Sequence, residues 1–165
     1  EIAGPRGTDA ELLLGGRIVT PRLPFGRFVV DGFSLDRYRN YLNPLQSLGG
    51  TTRLRGYRAA AFVGPSALVT NVELRTPPVQ VFSILAGLAA FYDAGDAFRR
   101  REEMVLRQGV GLGLRILVPQ IERVVFRVDL ATPLDRSDPA GETTVVAQFR
   151  QAFPDPGPVP PALAP

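Results

Sequence analysis

The chain has 165 residues, 45% of them hydrophobic, and its 19 basic residues are all arginine; its length gives no reason to look for two domains. Cysteine and histidine are both absent, so disulfide frameworks, thiolate metal sites and Ser-His or Cys-His catalytic pairs cannot be built from it. The net charge of +3 is modest, the arginines are scattered with no single face for nucleic acid, and no apolar run approaches the ~20 residues of a membrane helix.

Glu1 opens with no basic or apolar leader pattern, so no export signal is visible. From there the informative signal is alternation of apolar and polar residues in segments separated by Gly, Pro and Asp clusters. Segments 11–20 and 25–33 are the first two strands, joined by a Pro-containing turn over 21–24. A long connection over 34–65 follows. Segment 68–76 presents Leu68, Val72 and Leu74 on one face and Asn71, Glu73 and Arg75 on the other. After a short turn at Pro77-Pro78, segment 80–93 sets Phe82, Ile84, Leu88 and Tyr92 against Ser83, Gly87, Phe91 and Asp93.

A second long connection, 94–107, leads to segment 108–118. There Val110, Leu112, Leu114, Ile116 and Val118 oppose Gly109, Gly111, Gly113 and Arg115. The glycines lack the G-x-G-x-x-G spacing of a phosphate loop and sit inside a strand, so they are read as softening it or as leaving room for a close backbone approach. The clearest alternation follows the turn 119–121: in 122–131, Val124, Phe126, Val128 and Leu130 share one face, and Arg123, Arg127 and Asp129 the other. The third long connection, 133–142, holds Asp135, Asp138 and Glu142. These are read as a solvated turn, because their spacing matches no calcium loop. Segment 143–153 is the last strand, and the Pro-rich tail 154–165 reads as extended.

Alternation alone fits a soluble sheet as well as a membrane wall. Its persistence over about seven strands, the short-long alternation of connections and the mixing of Arg with Glu, Asp and Gly on the polar faces point to the membrane. Strands there need a closed barrel, with a lumen that accepts the charges. The expected fold is therefore all-β: the C-terminal portion, about seven strands, of a transmembrane antiparallel up-and-down β-barrel. Residues 1–153 supply the strands, and earlier strands are expected to precede them. A soluble β-sandwich binding domain is the alternative.

The segment Gly49-Gly50-Thr51-Thr52-Arg53-Leu54-Arg55-Gly56-Tyr57 resembles the signature of the BamA/TpsB-type outer-membrane assembly and translocation superfamily, the bacterial surface antigen family. Further matches follow in the family's order: Asn71 to Arg75 before a proline turn, Phe91-Tyr92-Asp93-Ala94-Gly95, Gly109 to Arg115 with Pro119, and Arg127 to Ala131. The resemblance implies that Leu54, Arg55, Gly56 and Tyr57 tip a long extracellular loop folded back into the lumen. It further implies that Arg55 meets Asp93 alongside Phe91, and Glu73 as well. Arg75, Arg115, Arg127 and Asp129 are expected to face the lumen too. The last strand resembles the C-terminal recognition strand of outer-membrane proteins, with aromatic residues at Phe149 and Phe153.

What the family implies for function is insertion of barrel proteins into the bacterial outer membrane, or passage of polypeptide across it, without catalysis, cofactor or metal. The implied partners are outer-membrane lipid and lipopolysaccharide, the latter also an alternative reading of Arg99 to Glu103, together with unfolded outer-membrane or secreted polypeptides. Missing N-terminal strands and periplasmic repeats complete the expected assembly. A passive pore, or a membrane anchor for a fused domain, is the alternative function for the same barrel.

Overall fold

The computed structural model describes residues 10–38, 44–51, 53–119 and 124–151. The sequence readings placed on Arg123, on Phe153 and on the Pro-rich tail lie outside those residues. Among the described residues there are ten strands: β1 (Ala10–Val19), β2 (Arg27–Tyr38), β3 (Gln46–Leu48), β4 (Phe62–Gly64), β5 (Ser66–Arg75), β6 (Val79–Val81), β7 (Ile84–Phe98), β8 (Arg107–Leu117), β9 (Val124–Pro133) and β10 (Thr144–Gln151). One turn of 3-10 helix, Arg101–Glu103, lies between β7 and β8.

The seven long strands form one sheet in the order β1-β2-β5-β7-β8-β9-β10, with β6 paired to β7. Every pairing is antiparallel. Each long strand therefore lies beside the next long strand of the chain, in an up-and-down path. Among the described residues the sheet does not close, and β1 and β10 are its edges. The short pair β3 and β4 is a separate hairpin, part of the loop that lies over one face.

Side-chain parity divides the two faces in a way no soluble sheet does. On the outer face Leu112 is 66% exposed, Leu130 50% and Phe149 77%, whereas on the inner face Asp93 and Asp129 have no exposure at all. Apolar groups point away from the molecule and charges point in, the arrangement of a barrel wall facing lipid. The register aligns the inner residues in rows: Asn71, Asp93 and Gly109; Glu73, Phe91, Gly111 and Ala131; Ala89, Gly113 and Asp129.

Three features differ from the sequence expectation. Strand β2 continues to Tyr38 and β7 to Phe98, into stretches read as loop. At those upper ends the outer face turns polar, with Asp36 and Asp96, so the apolar-out rule stops before the hydrogen-bonded ladder does. The connection 34–65 is partly built, holding the end of β2 and the β3–β4 hairpin. The segment read as one strand over 80–93 contains a turn at Phe82-Ser83, and Pro77-Pro78 is a break within a long hairpin. Across that break Thr76 bonds Leu88 through both its amide and its hydroxyl: the amide donates to the carbonyl at 2.9 Å, and the hydroxyl accepts the Leu88 amide at 2.9 Å and donates to the same carbonyl at 3.3 Å.

Candidate functional site: a loop arginine seated on the inner face

Between β3 and β4 the chain runs through Gly49 and Gly50, both at positive φ, and turns back at Arg58, whose carbonyl accepts the Ala61 amide at 3.2 Å. The Gly50 amide donates to the Tyr57 carbonyl at 3.0 Å, closing the turn. Leu54 sits at φ 56°, a conformation that costs a branched-chain residue energy. Its complete burial in a cluster with Leu48, Tyr57, Phe62, Ala67 and Val69 offsets that cost. This cluster fixes the loop over the upper part of the inner face and presents the next residue downward.

That residue is Arg55. Its Nε donates to Asp93 Oδ2 at 2.6 Å and its Nη2 to Asp93 Oδ1 at 2.7 Å, a bidentate fork, while the Arg55 amide adds a third bond to Oδ2 at 3.1 Å. Its Nη1 reaches Asp129 Oδ2 at 3.0 Å. The guanidinium carbon stands 3.4 Å from the centroid of the Phe91 ring, the stacked geometry that a planar cation favours. Asn71 supplies Asp93 with a further donor at 2.8 Å.

Glu73 does not meet Arg55, which corrects the expectation that it would. In the ladder Glu73 lies directly opposite Phe91, whose face the guanidinium covers. Its carboxylate is taken by Arg75 at 2.9 Å and Arg115 at 3.0 Å. The second carboxylate on Arg55 is Asp129, which also accepts from Arg115 and from Arg127 Nε at 2.6 Å. Arg75, Arg115, Arg127 and Asp129 thus all lie on the inner face, in one network of four arginines and three carboxylates.

The glycines of β8 make the room. A Cβ on Gly109 would overlap the Arg55 carbonyl, one on Gly111 the Phe91 ring, and one on Gly113 the side chains of Asp129 and Arg115. This bare strand lets carboxylates from β7 and β9 converge on one guanidinium. Gly56, at φ 91°, allows the same approach from the loop side, where a Cβ would lie 2.7 Å from the Thr132 carbonyl carbon.

Beyond the guanidinium, the loop is bound to the wall and to the β9–β10 connection. The Tyr57 ring is buried edge-on against Phe62, centroids 5.2 Å apart, and its hydroxyl donates to the Gln108 carbonyl at 3.0 Å. Tyr57 pairs with Gly141 as an isolated antiparallel bridge. The flanking bonds run from the Arg58 amide to the Ala140 carbonyl at 3.2 Å and from the Glu142 amide to the Gly56 carbonyl at 3.0 Å. Arg107, which sequence reasoning did not single out, joins Asp96 at 2.5 Å to Asp138 at 3.1 Å and lies 4.0 Å over Phe62. Asp135 is occupied by the amide and hydroxyl of Ser137, which hold its carboxyl below the usual range.

Among the remaining sequence-derived residues, Phe149 lies on the outer face with its ring 4.9 Å from Phe126, away from the arginine site. Arg101 pairs with Asp36 at the loop-bearing rim. Residues 34–151 match the model of the Omp85 superfamily domain, a superfamily of outer-membrane proteins. That match covers most of the chain, including the loop and the eight strands from β3 to β10. Neither a curated protein nor a solved structure matches it.

Proposed function

We propose, from the premise that this chain belongs to the Omp85 superfamily, that it supplies the C-terminal wall of an outer-membrane barrel which inserts barrel proteins or passes polypeptide across the membrane. The observation that carries the reading is the seated Arg55. Its loop is bonded to β7, β8 and β9, packed on Ala67 and Val69 of β5, and bridged to the connection that leads into β10. Strand β10 is an edge of the sheet, and an edge with unpaired backbone groups accepts an incoming strand. Further strands close the barrel between β1 and β10, the outer face meets lipid and lipopolysaccharide, and the polypeptide client engages the wall at that seam. The chemistry is pairing and unpairing of backbone groups, with no covalent step.

The test is made in the full-length protein, with insertion of a barrel client and export of a secreted client both measured. Arg55→Ala is expected to abolish whichever activity the protein has while compact, heat-modifiable gel migration survives. The charge-swapped pair Arg55→Asp with Asp93→Arg is expected to restore part of it. Wild-type activity in Arg55→Ala would remove the basis of the reading.

A further inference from the structure

The hairpin of β6 and β7 projects from the rim that carries the short connections, and it is apolar to its tip. Phe82, in the two-residue turn, is 93% exposed, and Val79, Val81 and Ile84 are exposed beside it. No charged residue occurs from 76 to 92. The register sets Val79 opposite Ala86 and Val81 opposite Ile84. These side chains therefore continue the outer face of β7, where Leu88 is exposed too.

Two independent features say that the tip is built for more than a turn. Phe82 has φ 53°, at a position where two-residue hairpins use Asn, Asp or Gly, and a bulky residue there is a strained outlier. The strain is held in place: the Gln80 side-chain amide donates to the Phe82 carbonyl at 3.1 Å. Backbone strain at an exposed aromatic points to a contact that compensates for it. Second, β6 is paired on one side only, because β2 begins at Arg27, opposite Arg75. Unpaired backbone is not tolerated in hydrocarbon, so β6 lies at or beyond the edge of the apolar layer. Another aromatic on the same rim, Phe25, is exposed between β1 and β2 and lies edge-on to Phe28, centroids 6.3 Å apart.

We infer that the β6–β7 tip is a lipid anchor: Phe82, with Val79, Val81 and Ile84 behind it, sits at the boundary of headgroups and acyl chains in the leaflet on the short-turn side and sets the depth of the wall. The occupant is lipid because the patch is continuous with the outer face and because aromatic side chains gather at that boundary. The inference rests on the membrane-barrel reading above.

The chain has no cysteine, so Ser83→Cys carrying an environment-sensitive dye, in full-length protein reconstituted in phosphatidylethanolamine and phosphatidylglycerol vesicles, reports the tip with Phe82 intact. Leu88→Cys is the reference on the same strand. Blue-shifted emission at 83 is expected, quenched by headgroup-level nitroxide lipid more than by deep nitroxide and shielded from aqueous iodide. At 88 the deep nitroxide should dominate. Phe82→Asn suits the backbone better than Phe does, so loss of the anchor is separated from misfolding; it should bring iodide quenching at 83 to the level of free dye. A dye at 83 open to iodide in the unsubstituted background, while 88 is quenched by lipid, overturns the anchor. Shielding at 83 from both iodide and nitroxides also overturns it, in favour of a polypeptide covering the tip. An unchanged signal in Phe82→Asn would show that the aromatic does no anchoring. Absence of lipid quenching at 88 would fault the membrane wall instead.

Discussion

Arg115 and Arg127 face each other directly across the β8–β9 ladder, and like charges so placed repel. Asp129 is what neutralises them, and it carries Arg55 as well. Replacing it leaves three arginines close together with no shared acceptor. Asp129→Asn is therefore expected to cost about 3–5 kcal/mol, the range for breaking a buried charge network. Glu73→Gln should cost less than Asp129→Asn, because its partner Arg75 is partly exposed and Arg115 keeps Asp129. The readout is the temperature at which each full-length variant loses compact gel migration, and equal midpoints would show that Asp129 is not the hub. Parity alone put Asp129 on the inner face, and the family signature implied the Arg55–Asp93 fork. The Arg55–Asp129 bond does not follow from parity, although the sequence carries a signal for it. Three inward glycines on the strand between two inward carboxylates remove the side chains that would hold those carboxylates apart.

The long strands were legible because apolar residues at every second position leave little choice of face, and the inner positions of β5, β7, β8 and β9 lie where alternation put them. Strand ends were less legible, since outer-face residues turn polar at Asp36 and Asp96 while backbone pairing continues. The hairpin tip was missed for a different reason: two prolines imitate a turn, and the actual turn at Phe82-Ser83 carries no Gly or Asn. Nor does any pattern announce that the β9–β10 connection pairs with the loop, because backbone bonds between irregular segments leave no periodicity. That pairing has a testable weak point at Gly141, where a Cβ would lie 2.8 Å from the ring of Pro133. Gly141→Val is expected to push the connection away and break the two flanking bonds. At about 1 kcal/mol for a net bond, amide exchange at Arg58 should rise at least about fivefold, while Glu142→Gln, which touches only an exposed pair with Arg58, should leave it unchanged. Equal exchange in the two variants would mean that the bridge holds nothing.

Across the wall the polarity is reversed, with Leu112, Leu130 and Phe149 exposed outside and Asp93 and Asp129 buried within, and the interior combines charge pairing around Arg55 with the apolar cluster that holds the loop. Local register builds the wall, since each long strand pairs with the one before it. The loop obeys a different rule: Arg55 reaches Asp93, 38 residues on, and Asp129, 74 residues on. Contacts so distant along the chain close late, because the chain entropy they cost is recovered only when both ends are in place. During refolding of the full-length protein into micelles, pulse-labelled amides of 53–58 are expected to gain protection with or after those of 124–131. Earlier protection of the loop would contradict this order. The arginine then acts as a clock as well as a clasp. It can come to rest only after β9 has arrived beside β8, so a seated loop records that the strands carrying its two carboxylates are in place.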